Sequence, residues 1–487
     1  MADIRMVETS LRDGNQSLWA ALGIDTARTL SIAPVMDRVG YKAIDFTTST
    51  HMGVAVRYKQ EDPWERIRLM AEACPNTPLQ FLSTGFRFIS WETASPEFMA
   101  LAYKTLVNNG IGRFALADPM NDVAGNLAGA RMAKAGGASY VVGALVYTLS
   151  PIHDDAHYAE RAAALAASPD VDALYIKDPG GLLTPTRART LIPAIQAVIG
   201  DKPLELHAHC TIGLADLVYG EGAELGVETV QCASGAAADG TSNPPAERVL
   251  ANLKALGHNL LVDEDALGEV VVYFSALAQA EDLPFGKPQA FDAAYLQHQL
   301  PGGMVGTMRR HLREQRLSHI EGNVIEEIGR VREELGWPIV MTPFAQMVLT
   351  QAVMNVTGKE RYAVIPDEIV RYALGKFGRP NVPIAAEVMD RILSSARAKE
   401  LDVEPGMASI DELRAKLGRH LSDEEFLLRA TMPAEQVDAM KAAGPAPRVY
   451  DPQGGQAAMR LIRELLLRED VAQLSVEKPG FKLELMR

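Results

Sequence analysis

Eight short β-rich runs alternate with helical stretches along the first half of this chain, and that alternation limits the fold more than any other feature. The runs are Ile4–Leu11, Ala43–Thr48, Leu79–Thr84, Arg113–Ala117, Tyr140–Tyr147, Leu174–Lys177, Leu204–His209 and Thr229–Cys232. Between them lie helical candidates such as Pro63–Ala73, with Asp62 as cap and Pro63 at the first helical position, and Pro185–Val198. Eight βα units in succession predict a closed (β/α)8 TIM barrel, an α/β fold, rather than an open doubly wound sheet. No G-x-G-x-x-G follows the first run, so a dinucleotide-binding sheet lacks its main support.

Barrel chemistry sits at the C-terminal ends of the strands, and polar residues collect there. Arg12, Asp13 and Gln16 follow the first run, Thr84 the third, Asp118 the fourth and Tyr147 the fifth; Lys177 and Asp178 close the sixth. His207 and His209 stand at i and i+2 on the seventh, so both imidazoles share one face and can reach one metal ion. Asp13 supplies the carboxylate that completes a facial metal set, and Lys177 lies between the ligands in strand order. A lone strand histidine reads first as a hydrogen-bonded core residue, and Asp13, before Gly14 and Asn15, as a turn residue. Two histidines on one face beside a lysine that is costly to bury favour the metal site.

The alternation stops near Leu267. We expect a barrel domain over 1–299, a mainly α-helical domain over 300–447, a linker at 448–457, and a tail over 458–487. The tail reads as an amphipathic helix followed by a strand pattern at Phe481, Leu483 and Leu485. Leu300-Pro301-Gly302-Gly303-Met304 marks an abrupt turn, and Thr342-Pro343 reads as an N-cap with proline at the first position of a helix running through Val353. A net charge of -14 argues against a nucleic-acid or anionic-membrane partner. The three cysteines, Cys74, Cys210 and Cys232, form no C-x-x-C pair, which fits a reducing compartment. With no apolar leader pattern and no membrane span, a cytoplasmic location is expected.

With those residues placed, the chain resembles the carboxyltransferase component of the biotin-dependent pyruvate carboxylase, oxaloacetate decarboxylase and transcarboxylase family. The likeness rests on Glu8-Thr9-Ser10-Leu11-Arg12-Asp13-Gly14-Asn15-Gln16-Ser17, on Val56-Arg57-Tyr58-Lys59-Gln60-Glu61-Asp62-Pro63-Trp64-Glu65-Arg66, and on Ile176-Lys177-Asp178-Pro179-Gly180-Gly181. Pro301-Gly302-Gly303-Met304 and Met341-Thr342-Pro343 extend it to about residue 447. The resemblance implies that Lys177 becomes N6-carboxylysine and, with Asp13, His207 and His209, binds Zn2+, Mn2+ or Co2+. It also implies that Thr342 carries a proton between substrate and biotin, and that Gln16 and Arg12 line the acceptor pocket.

Departures from the family pattern fall on the acceptor side. Along Leu82-Ser83-Thr84-Gly85-Phe86-Arg87-Phe88-Ile89-Ser90-Trp91, Thr84 stands where the family has an arginine and Trp91 where it has a tyrosine, while Asn15 replaces a histidine. Threonine cannot give the bidentate pairing that holds a carboxylate. The acceptor therefore need not be pyruvate, and Arg87, Trp91 and Tyr147 join Thr84 as candidate acceptor contacts. The family's biotinyl lysine, in Ala-Met-Lys-Met, has no counterpart; Lys441 in Asp438-Ala439-Met440-Lys441-Ala442 reads as surface helix. Biotin is thus expected on a separate carboxyl carrier protein, with a biotin carboxylase subunit as a further partner, the tail as a candidate docking segment, and this chain as a homo-oligomer, a dimer. Rival readings are a metal-dependent carbon–carbon lyase or Claisen-type synthase of the same barrel superfamily, and a non-catalytic scaffold subunit.

Overall fold

The computed structural model describes residues 2–450, apart from Trp91, Pro301, Gln315, Thr342, Arg379, Asn381, Glu404 and Pro405, together with two strands at 473–478 and 481–486. Eight parallel strands close on themselves: β1 (Asp3–Glu8), β2 (Ala43–Thr48), β3 (Leu79–Ser83), β4 (Ile111–Leu116), β5 (Tyr140–Val146), β6 (Ala173–Asp178), β7 (Leu204–Ala208) and β8 (Thr229–Cys232). They run in sequence order, and β1 pairs with both β8 and β2, which makes the sheet a TIM barrel. A ninth strand, β9 (Asn259–Leu260), adds to the N-terminal end of β1, where no sequence signal marked it.

The strands are buried on both faces along nearly their whole length, as in other parallel barrels, with apolar residues dominating β3 to β6 and buried polar residues such as Asp45, Glu205 and Gln231 on the others. Helices start where expected: Asp62 accepts the backbone N–H of Trp64 and Pro63 opens Pro63–Ala73. The first run ends sooner than its β-rich residues suggest. After Glu8 the chain curls into a π-helical turn, Ser10–Gly14, in which the N–H groups of Asp13 and Gly14 both bond Thr9 O. A Cβ on Gly14 would lie 2.4 Å from Ala237 O, so only glycine lets the turn seat against the loop after β8.

The barrel interior is divided. On one side Leu82, Ala115, Val142, Ala144, Ala173 and Tyr175 form an apolar cluster. The other side is polar, with Gln80, Arg113, Glu205 and Gln231 buried. The helical part is divided as well. Residues between Leu300 and Leu401 build their own core, to which the barrel lends Met120. The helices Asp423–Thr431 and Ala434–Ala443 instead pack Phe426, Leu427, Leu428, Met432, Val437 and Met440 into the barrel's outer core. Trp64 donates its indole N–H to Glu424 O at 3.2 Å.

Two expectations shift at the C-terminal side. The helix expected to start at Pro343 begins one residue later, Phe344–Thr357, with Pro343 itself in the cap position and no side-chain cap bond. The cap expected at Thr342 falls on a residue outside the described ones. The strand pattern at Phe481, Leu483 and Leu485 is a strand, β11 (Phe481–Met486), paired antiparallel with β10 (Gln473–Lys478). The amphipathic helix expected just before it lies outside the described residues. No helix among the described residues is long and apolar enough to cross a membrane.

Candidate metal centre

Strand periodicity brings the candidate ligands together. Ala173, Tyr175 and Lys177 point inward on β6, Lys177 pairs in register with His207 on β7, and His209 follows one step beyond the strand. The loop after Lys177 is drawn against His209. Gly181 has φ +65° and a Cβ there would lie 2.5 Å from His209 O, so Pro-Gly-Gly is a steric necessity.

Asp13 reaches over from the π-helical turn. Its Oδ1 accepts from Ser17 at 3.0 Å, which leaves Oδ2 3.2 Å from His207 Nε2 and 3.4 Å from His209 Nε2. The two Nε2 atoms are 3.1 Å apart, and Lys177 Nζ is 3.3 Å from His207 Nε2 and 3.9 Å from Asp13 Oδ2. All four side chains are buried. The Nδ1 atoms face oxygens, Gln231 Oε1 at 2.9 Å for His207 and Thr241 O at 2.7 Å for His209. With their protons on Nδ1, both rings aim nitrogen lone pairs at one carboxylate oxygen. That concentration of lone pairs in a dry site is repulsive without a cation, so the donor set fits a divalent metal, and Asp13, His207 and His209 form such a group.

The electrostatics suit the same chemistry. Burial alone would raise the Asp13 carboxyl, but Arg12 and the two histidines overcome it and hold Asp13 well below the usual carboxylate range. Burial, then Lys177, lowers His207 to about 3, which keeps it a neutral ligand. Burial, then Arg12, lowers the Lys177 amine to about 8, near enough to neutrality for the amine to act as a nucleophile.

The remaining candidates are scattered around this centre. Arg12 is buried, 2.9 Å from Asp13 Oδ2, with its Nε donating to Asp45 Oδ2 at 2.7 Å. Gln16 is exposed and Thr84 half-buried. Arg87 is buried over the Phe377 ring at 5.1 Å and faces Asp118 across the space beside Gly85. Tyr147 stacks on Tyr158 with ring centres 5.8 Å apart, its hydroxyl buried without a hydrogen bond among the described residues. Trp91, like Thr342, lies outside the described residues. A cleft of about 1010 Å³ opens beside Arg87, lined by Ser90, Thr93, Pro343, Gln346, Lys376 and Phe377, with Phe377 the wall it shares with Arg87. Three residues at this site escaped sequence reasoning: Asp45, Glu205 and Gln231. Their strand positions carried a period-2 signal, but a polar residue on a strand reads first as solvent-facing.

A (β/α)8 barrel with a carboxylate–histidine group at its mouth that could hold a metal ion is the class that fold and site define. Residues 3–272 match the HMGL-like family, and residues 296–463 the conserved carboxylase domain. A pyruvate carboxylase subunit of Methanocaldococcus jannaschii is 34% identical over 458 residues, 92% of this chain and 80% of that protein. The 2-oxoglutarate carboxylase large subunit of Hydrogenobacter thermophilus is 32% identical over 446 residues, 89% and 68% of the two chains. The carboxyl transferase domain from Rhizobium etli pyruvate carboxylase shares the fold, with a TM-score of 0.82 at 21% identity over 100% of this chain and 84% of that one. The chain belongs to the carboxyltransferase family of the biotin-dependent carboxylases, an enzyme family defined by carboxyl transfer.

Proposed function

We propose that this chain is the carboxyltransferase subunit of a multisubunit biotin-dependent carboxylase, moving a carboxyl group between carboxybiotin on a separate carrier and a keto-acid acceptor. The observation that carries the reading is the convergence of Asp13, His207, His209 and Lys177 at the barrel mouth. A divalent ion bound there would polarise the acceptor's keto oxygen and so favour its enolate.

The chain's own residues do the rest. The neutral Lys177 amine adds CO2, forming an N–C bond and releasing one proton, and the resulting carbamate would offer such an ion an additional oxygen ligand. Arg12, tied to Asp13 and Asp45, keeps the opening turn over the mouth and adds positive charge beside the acceptor. Thr342, next to Pro343 in the wall of the cleft, carries the proton between acceptor and biotin. Gln16, Thr84, Arg87, Trp91 and Tyr147 shape the acceptor side, where the missing arginine makes pyruvate a poor substrate. The helical domain at 300–447 completes the approach through which the carrier delivers biotin.

Lys441 sits on the helix Ala434–Ala443, exposed and 2.7 Å from Glu425 Oε2, which supports the reading that biotin arrives on a separate carrier. The tail at 458–487 serves as its docking segment, together with a biotin carboxylase partner. The reading is tested by metal analysis and by 13C-carbamate detection on the purified chain, followed by carboxyl transfer from carboxybiotin to a panel of keto acids. One ion and one carbamate per chain are expected. A metal-free chain that transfers carboxyl groups at the normal rate would overturn it.

A further inference from the structure

Glu205 precedes His207 by two residues on β7, so both side chains point into the barrel. Near the N-terminal floor its carboxylate receives Arg113 Nη2 at 2.7 and 2.6 Å, and Lys42 Nζ at 2.9 Å. Glu205 is therefore a fixed anion, able only to accept hydrogen bonds.

The consequence runs upward through β8. Gln231 lies between the anion and the ligand histidine, with Nε2 3.3 Å from Glu205 Oε2 and Oε1 2.9 Å from His207 Nδ1. Reversing that amide would set an oxygen lone pair against the carboxylate, a repulsive contact between two fully buried groups. The anion thus dictates the amide, and the amide dictates the ring. With an oxygen facing Nδ1, the proton must be on Nδ1 and the lone pair on Nε2, 3.1 Å from its counterpart on His209. The His209 tautomer is set separately, by the backbone carbonyl of Thr241.

We propose that Glu205, acting through Gln231, is the positioning group that fixes the tautomer of His207 and thereby sets the metal affinity of the site from the floor of the barrel. This rests on the metal-site reading above, but its first test does not require metal. Histidine-selective 15N NMR of the metal-free protein should show His207 in the Nδ1–H form, and the Nε2–H form in the wild type would overturn the proposal. In a second test, Gln231→Met keeps the volume and removes the acceptor oxygen. Chelator competition should show metal affinity reduced about 10- to 100-fold with the melting temperature little changed. In the same variant, 15N NMR should show that His207 no longer keeps the single Nδ1–H form, which a mere packing role would not predict. A Gln231→Met protein that binds metal as tightly as wild type would sink the idea. Glu205→Gln removes the anion itself; if it folds, mixed tautomers and weaker binding are expected, and if it does not, Gln231→Met still decides. A wild-type chain that binds no metal would defeat the metal reading while leaving the tautomer result standing.

Discussion

The two sides of the barrel mouth are built differently. On the metal side, Asp13, Lys177, His207 and His209 are at most 7% exposed, and each is tied to at least two other side chains or backbone groups. On the acceptor side Gln16 is exposed, Thr84 is half-buried, and the Tyr147 hydroxyl makes no hydrogen bond among the described residues. The lesson is one of constraint. A ligand braced from the barrel interior cannot change without disturbing several buried charges, whereas a residue in a strand-end loop can change alone. Thr84 is of the second kind, whereas Asn15, buried in the turn beside Asp13 with its Oδ1 accepting from Gly23 N at 3.1 Å, is of the first.

The largest expected effect falls on the braced side. Lys177→Ala should remove the carbamate and most of the bound metal, and lower carboxyl transfer by roughly three decades or more, as when one member of an interdependent set is deleted. Elemental analysis and a carboxyl-transfer assay measure both. Normal metal content in the variant would show that the three remaining ligands suffice and that the two sides are less different than claimed.

The second test restores the family residue on the variable side. Thr84→Arg should raise kcat/KM for pyruvate by about one to two decades, the worth of a charged hydrogen bond of roughly 1.5 to 3 kcal/mol, with metal content unchanged. A wild-type chain already efficient with pyruvate, and no gain in the variant, would mean that the carboxylate is held elsewhere. Arg87 is then the first place to look.

Arg87 allows a third, smaller test, because it has a structural task already. It faces Asp118, whose carboxyl is raised by burial and held down by the N–H groups of Met120 and Asp122, and it stacks on Phe377. Arg87→Met should cost about 3 kcal/mol of stability, the low end for leaving one partner of a buried charge pair, because Asp118 keeps its two backbone donors. A KM change for the keto acid with no loss in denaturant midpoint would instead place Arg87 on the acceptor.

Much of this was legible in the sequence, for identifiable reasons. β2 and β8 were readable to the residue because Ile44, Phe46, Thr47, Thr48, Thr229 and Val230 favour extended backbone and helical stretches flank both runs. Two-residue periodicity brought His207 and His209 onto one face, and placed Lys177 beside them. What stayed hidden depends on contacts between distant segments. Nothing local shows that Glu205 meets Arg113 and Lys42, since a buried acid and a surface acid look alike on a strand. The docking of Phe426 and Met440 on the barrel is likewise tertiary, because an amphipathic helix does not name the core it joins. The π-helical turn at Ser10–Gly14 was missed because apolar Leu11 extended the β pattern beyond the point where Thr9 O captures the next amides.

The smallest effect tests whether the acceptor side is also held by the helical part. The loop after β5 is clamped from there: Arg332 donates to Thr148 Oγ1 and Leu149 O, both at 3.2 Å, and Gln299 Oε1 accepts from Thr148 Oγ1 at 2.8 Å and Leu149 N at 3.0 Å. In the same loop His153 is buried with Nδ1 2.6 Å from Ser150 Oγ, and burial, then His157, Arg332 and Arg161, lowers it from 6.5 to about 3. The unfolded chain takes up this proton near pH 6.5, while the folded chain resists it until about 3. The unfolded state therefore binds more protons across that window. The contribution of His153 to stability is complete above pH 6.5 and is lost as the pH falls toward 3, with a slope of up to about 1.4 kcal/mol per pH unit. Other groups titrate in the same range, so the measurement is a difference: denaturant unfolding of wild type and His153→Gln at matched pH from about 7 down to about 5. The variant's curve should be the flatter one. Parallel curves would mean that the loop opens to admit the proton without unfolding, and that the clamp from Arg332 and Gln299 does not brace the acceptor side as the barrel interior braces the metal.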